Sequence, residues 1–115
     1  MILKSKTLRS VAQPLSSIDK LLRQQGFRPA AGEHPPMYDV VIYDSATNCS
    51  YFLRIPTNIL HDHPHTGEVI VKFGTPSLES KALTTIPDEI RQAAEHKLAE
   101  VADYLASTQP RAREA

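Results

Sequence analysis

Three apolar segments decide the fold of this 115-residue chain: MYDVVIY at 37–43, SYFLRI at 50–55 and EVIVKF at 68–73. Each is rich in β-branched and aromatic residues and is bounded by Pro, Gly, Asn or Asp, a composition typical of β-strands. No other part of the chain concentrates so many apolar side chains. We therefore expect three strands here, with the rest of the chain arranged around them.

The connections between these segments predict antiparallel pairing. Residues 44–48 are mostly turn-forming types and have the length of a hairpin connection. The second connection, residues 56–67, is longer, and we expect it to be a loop that carries His61, His63 and His65.

Helices are predicted on both sides of this stretch. Ser16–Gln25 has helical apolar spacing, with Ser16 as the expected N-cap, Asp19 three residues later and Gly26 as the stop. A longer helix is expected at about 86–106, where proline and acidic residues occupy the first turn. Its apolar stripe consists of Ile90, Ala94, Leu98, Val101 and Leu105.

The predicted fold class is α+β, in the order β-α-β-β-β(-β)-α. An antiparallel sheet of about four strands carries both helices on one face, as a two-layer sandwich. Met1–Val11 suits an edge strand, and 75–85 adds either a short strand or a cover for the sheet edge. We expect one domain over 1–107 and a flexible tail at 108–115.

Strand alternation assigns the two faces of the sheet. The face expected to point at the helices consists of Tyr38, Val40, Ile42, Tyr51, Leu53, Ile55, Val69, Val71 and Phe73. The other face is predicted to be open and to carry a candidate interaction surface of Val41, Tyr43, Phe52, Arg54 and Ile70. The alternative is that these are scattered exposed residues of an ordinary sheet surface, with Arg54 in a cross-strand ion pair.

Composition and charge argue against several classes of protein. Basic and acidic residues number 13 each, so the net charge is zero, which argues against a nucleic-acid binder and slightly favours self-association. Cys49 is the only cysteine and permits no internal disulfide. We find no signal peptide and no segment apolar enough to cross a membrane, so a cytoplasmic protein without membrane contact is expected.

Several short motifs resemble the YugN-like family of small bacterial proteins. They are PLSSI at 14–18 leading to GF at 26–27, YFLRIP at 51–56, VK at 71–72 and TP at 75–76. Together with the long C-terminal helix they extend over most of Leu3–Leu105. The resemblance implies a compact α+β fold and a cytoplasmic bacterial protein. It implies no reaction and transfers no functional residue.

The histidines at 61, 63 and 65 are the sharpest candidate for chemistry. In an extended segment, His61, His63 and His65 fall on one side, and three imidazoles suit zinc or a similar metal. Pro64 and the expected loop conformation argue against this site, because metal ligands need a rigid support. A solvent-exposed histidine-rich turn is the main alternative, and a pH-responsive cluster is another.

The sequence contains no nucleotide-binding or phosphate-binding motif, so no cofactor is expected. We therefore favour a non-enzymatic protein over an enzyme. Our first hypothesis is a non-enzymatic module of unknown role that binds itself or a protein partner through the open sheet face. The second is a metal-binding protein or metal-dependent enzyme that uses the three histidines. The third is a protein that holds a small apolar ligand between the sheet and the long helix.

Overall fold

The computed structural model describes residues 1–3, 8, 11–63, 67–80 and 85–108. Residues 81–84 of the predicted 75–85 segment and residues 109–115 of the predicted tail lie outside these residues, while Thr108 is the last residue of α2. In chain order the elements are β1 (Ala12–Pro14), α1 (Leu15–Gln24), β2 (Arg28–Pro29), β3 (Met37–Asp44), β4 (Cys49–His63), β5 (Glu68–Phe73), β6 (Ser77–Ser80) and α2 (Asp88–Thr108). The fold is the predicted α+β sandwich, but the sheet has six strands instead of about four.

Strand β4 is the centre of the sheet. Its first half lies between two antiparallel neighbours, with β3 along one edge at 49–56 and β6 along the other at 51–54. Its second half, from Thr57 to His63, pairs with β5. Strands β5 and β6 therefore follow each other along the same edge of β4.

Gly74 makes the transition from β5 to β6 close to β4. Its N–H donates to the carbonyl of Pro56 at 2.8 Å. A Cβ at position 74 would lie 2.9 Å from Cγ of Pro56, which is shorter than carbon atoms tolerate. Only glycine therefore fits here without a shift of the proline ring.

The outer strands are short. Strand β1 pairs with β5, and Ile2 forms an isolated bridge with Ser77 of β6. The expected edge strand over Met1–Val11 is thus replaced by this bridge and by β1 at Ala12–Pro14; residues 4–7 and 9–10 lie outside the described part. On the opposite side β2 pairs with β3.

The predicted loop over 56–67 is wrong for its first eight residues, because β4 continues through Pro56 to His63. Proline lacks only its own N–H, and the hydrogen bonds on either side remain available. The pairing with β5 supplies them, and Thr57 also donates its N–H to the carbonyl of Pro36 at 3.2 Å. The register shifts between Ile59 and His61, which places a β-bulge at Leu60.

Helix α1 ends as predicted and begins differently. Gly26 has φ +93°, and Phe27 donates its N–H to the carbonyl of Leu22 at 2.9 Å, as in a Schellman motif. The expected N-cap at Ser16 is wrong, because the helix begins at Leu15 after Pro14 and has no side-chain cap. The chain turns directly from β1 into α1, which brings Ser16 inside the first turn.

The core lies between the sheet and both helices. The predicted inward face is confirmed at its buried positions, which are Tyr38, Tyr51, Leu53, Ile55, Val71 and Phe73. The predicted stripe of α2 is buried at all five positions. Gln13 of β1 is also buried, and its Nε2 donates to the carbonyl of Leu105 in the last turn of α2 at 3.2 Å. This bond ties the outer strand to the long helix.

Neither helix in the described part of the chain has the length and apolar character needed to span a bilayer.

Candidate functional site

An apolar patch occupies the open face of the sheet where β3 and β4 pair. Val41 is 55% exposed and Tyr43 is 57% exposed, and both lie on the part of β3 beyond its short pairing with β2. Phe52 lies directly opposite Val41 in the register and is half-buried. We call Val41, Tyr43 and Phe52 the open-face patch. Within the part of the chain that the structure describes, no helix covers it, since α1 and α2 both contribute to the core on the other face.

An ion pair lies on the same face beside the patch. Arg54 donates from Nε and from its Nη2 to the two carboxylate oxygens of Asp39, at 2.8 and 3.0 Å. The two residues are direct cross-strand partners. These hydrogen bonds raise the pKa of Arg54 further above its ordinary value. A partly exposed pair adds little to stability, but it neutralises the edge of the patch.

Ile70 is separated from the other predicted surface residues. It lies on β5 opposite His61, whereas Phe52 is nine residues earlier on β4. At the rise of an extended strand, that separation is about 30 Å. The five predicted residues therefore form two groups, with Val41, Tyr43, Phe52 and Arg54 in one and Ile70 in the other.

The neighbourhood of Ile70 includes two exposed apolar residues that the sequence did not single out. Ile59 and Leu60, at the bulge, are each 43% exposed. Strand β3 pairs along one edge of the first half of β4. Along that same edge, the second half of β4 has no strand partner among the described residues. Strand composition alone does not show this open edge. The edge is open because β3 begins beside the middle of β4 and leaves the second half of β4 without a neighbour on that side.

The structure describes the predicted metal ligands only in part. His61 is exposed on β4, and the backbone of His63 lies two residues further along the same strand, opposite Glu68. His65 lies outside the described residues. Within the described part, no three or more His, Cys, Asp or Glu side chains gather into a metal-binding group. The three-histidine site stays a prediction.

A solvent-open cavity of about 360 Å³ lies on the helix side, between the start of α1 and the starts of β3 and β5. It is lined by Leu15, Ser16, Asp19, Pro36, Tyr38, Gly67, Glu68 and Val69. Four of these residues offer apolar surface, and both charged ones are acidic. The cavity lies beneath the short helix, whereas the sequence hypothesis placed a ligand beneath the long one.

One hydrogen-bond chain forms a wall of this cavity. The hydroxyl of Tyr38 donates to Oδ1 of Asp19 at 2.7 Å, and Nε of Arg23 donates to Oδ2 of the same carboxylate at 2.8 Å. Burial and the bond to Asp19 raise the pKa of Tyr38, so its phenol stays a proton donor. The sequence predicted Tyr38 as a core residue and Asp19 as part of a cap. Their contact depends on how α1 lies over β3.

No protein-family model matches the sequence, and no curated protein matches it. A solved structure does: the crystal structure of an uncharacterised conserved protein, YugN from Geobacillus kaustophilus, superposes with a TM-score of 0.76 over 95% of this chain and 97% of that chain. The fold is that of YugN. Sequence identity is 18%, so the likeness concerns the fold.

The YugN-like resemblance seen in the sequence is thus confirmed at the level of architecture. The match extends over nearly the whole of both chains, so it includes the sheet and both helices. YugN is itself described as uncharacterised. The open-face patch and the cavity must therefore be interpreted from their own chemistry.

Proposed function

We propose that this protein is a non-enzymatic binding module that pairs with a second copy of itself through the open-face patch. The observation that supports the proposal is the exposure of Val41 and Tyr43 on β3, beside Phe52 on the central strand β4. Burial of such residues against a second apolar surface is favourable by about 25 cal/mol per Å² of apolar area removed from water.

A second copy suits this face because its charges are self-complementary. The rim of the patch carries the paired Asp39 and Arg54, and Glu79 lies opposite Phe52 on β6. In a twofold arrangement, the basic group of one copy approaches an acidic group of the other. The chain has no net charge, so two copies approach without long-range repulsion.

The size of the patch sets the expected strength of pairing. Eight residues of β3 and the neighbouring parts of β4 and β6 cover an area of about 26 by 15 Å. That is smaller than the roughly 800 Å² that each partner buries in a standard interface. We therefore expect a weak, reversible dimer with a dissociation constant of about 10 µM or above.

Sedimentation velocity over protein concentrations from about 10 µM to about 1 mM tests the proposal. We expect the wild type to shift from monomer to dimer over this range. Val41→Lys places a charge in the patch centre and should keep the protein monomeric throughout, with an unchanged circular dichroism spectrum.

Leu60→Lys is the matched control, because it makes the same kind of change at an exposed apolar residue outside the patch. It should dimerise like the wild type. A wild type that stays monomeric at the highest concentration contradicts the proposal, as does a dimer that Val41→Lys leaves intact. A dimer lost in Leu60→Lys alone would place the contact on the open edge of β4 and would also overturn it.

A further inference from the structure

Charges on the open face of the sheet alternate in sign from one strand to the next. Around the open-face patch the strands lie in the order β2, β3, β4 and β6. On this face they carry Arg28, Asp39, Arg54 and Glu79 in that order, so the signs are plus, minus, plus and minus. We call these four residues the charge row.

The members of the charge row lie close together. Arg28 is the cross-strand partner of Asp39, and Asp39 is the partner of Arg54. Glu79 lies on β6 two residues beyond the partner of Arg54, a step of about 7 Å along the strand. After the bonds to Asp39, the charges of Glu79 and of Glu33 in the loop before β3 also raise the pKa of Arg54, so both carboxylates are near it.

The outer members of the row are available to the charges of a partner. Arg28 and Glu79 are exposed, and neither forms an ion pair with another described residue. Arg28 donates one N–H to the carbonyl of Phe27, and Arg54 donates two to Asp39. A guanidinium has five N–H donors, so both arginines retain donors for a second molecule.

A twofold axis that runs between β3 and β4, parallel to both, reverses the row in the second copy. Two sheets with aligned strands pack face to face about 10 Å apart. With this axis β2 of one copy faces β6 of the other, and β3 faces β4. Arg28 then approaches Glu79 of the second copy, Asp39 approaches Arg54, and the apolar residues of the two patches lie against each other.

The other aligned arrangement is unfavourable. With the axis perpendicular to the strands, β2 lies along β2 of the second copy and β6 along β6. Both copies of Arg28 are then at one edge of the interface, and both copies of Glu79 are at the other. Like charges brought together at an interface oppose association.

We propose that the charge row sets the orientation of the dimer and selects a second copy of the same chain as the partner. The two copies are related by the axis parallel to β3 and β4, and Arg28 of each pairs with Glu79 of the other. This arrangement rests on the proposed function, since it concerns the dimer formed through the open-face patch.

Single charge reversals test the pairing. Arg28→Glu alone brings acidic groups together at both edges of the proposed dimer, and Glu79→Arg alone brings basic groups together. Each variant should dimerise about tenfold more weakly than the wild type in sedimentation velocity at low ionic strength. An equimolar mixture of the two variants should recover the wild-type dimer, because each introduced charge then faces the opposite sign.

Lys20→Glu and Glu100→Arg are the matched controls. They make the same changes of charge at exposed positions on α1 and α2. Both should dimerise like the wild type. All four variants should keep the circular dichroism spectrum of the wild type.

A spin label reports the orientation without any change in the charge row. Ala46→Cys, combined with Cys49→Ser to remove the native thiol, places a nitroxide in the exposed turn between β3 and β4. In a mixture with ¹⁵N-labelled protein that lacks the nitroxide, the proposed axis brings the label to the same turn of the other copy. The perpendicular axis brings it to the start of β3, about 24 Å away along the strand. We therefore expect intermolecular broadening centred on residues 44–48.

Reversal variants that each dimerise like the wild type would overturn the inference and leave the open-face dimer standing. A mixture that dimerises no better than either variant alone would overturn it too, as would broadening centred on Met37. A wild type that stays monomeric would overturn the proposed function and this inference together.

Discussion

Tyr38 is the residue at which the sheet, the short helix and the cavity meet. Its side chain is fully buried, and its hydroxyl reaches Asp19 on α1. Such a bond contributes about 1–3 kcal/mol when its acceptor is charged. Burial and the bond to Asp19 both favour the neutral phenol, which is why the pKa of Tyr38 is raised.

This raised pKa predicts a loss of stability at alkaline pH. The contribution of Tyr38 is fully present below pH of about 10, the pKa of an unfolded-chain tyrosine, and declines as pH rises because only the unfolded chain then releases the proton. The loss should reach about 1 kcal/mol near pH 11.

Tyr38→Phe isolates this effect, because every other titrating group is shared with the wild type. At pH 8 the variant should be less stable by about 1–3 kcal/mol, since it lacks the bond to Asp19. Urea unfolding at several pH values should show the difference narrowing above about pH 10. A difference that stays constant up to pH 11 would show that the phenol ionises equally in both states.

Among the elements, β4 determines the shape of the sheet. Its first half has neighbours on both edges, whereas its second half pairs only with β5 among the described residues. The bulge at Leu60 adds local twist to the half with the open edge. Bulges of this kind are one way in which proteins discourage uncontrolled pairing of an edge strand.

Hydrogen exchange should report the two halves of β4 separately. Successive amides in a strand point to opposite edges, so those of residues 51–54 all have a partner in β3 or β6. In residues 58–62 we expect the amides that face β5 to be protected and those that face the open edge to exchange rapidly, with the alternation between them interrupted at the bulge at Leu60. Uniform protection across 58–62, measured by NMR, would show that the open edge is covered in solution.

At the scale of the whole molecule, one hydrophobic core joins both helices to the sheet. Buried residues from α1, α2 and the inward face of the strands form a single cluster. Domains of this size with one core usually unfold in a single transition. The fold is therefore expected to lose its helices and its sheet together.

Leu98→Ala tests this coupling, since Leu98 lies in the middle of α2 and is 2% exposed. The variant should lose about 2–5 kcal/mol of unfolding free energy. Urea midpoints from far-ultraviolet circular dichroism, which follows the helices, and from tyrosine fluorescence should fall by the same amount. Of the four tyrosines, the buried Tyr38 and Tyr51 report on the sheet, whereas Tyr43 and Tyr104 are exposed in the folded state. Exposed Glu100→Ala on the same helix should change stability by less than about 0.5 kcal/mol. Separate midpoints for the two probes would contradict a single core.

The sequence by itself determined the features that depend on neighbouring residues. The alternation in β3, the first half of β4 and β5, the stripe of α2 and the stop at Gly26 are all confirmed. Periodicity and turn chemistry express local backbone preferences, so they can be recognised without knowing the fold. The same patterns indicated the α+β class and the inward face of the sheet.

Tertiary structure alone decided where separate elements meet. Pairing with β5 extended β4 beyond Pro56, because partner strands supplied hydrogen bonds that outweighed the local preference for a loop. The separation of Ile70 from the open-face patch, the open edge beside Ile59 and the contact of Tyr38 with Asp19 likewise result from register and packing. These depend on contacts between residues far apart in the chain, and such contacts leave no periodic pattern in a single sequence.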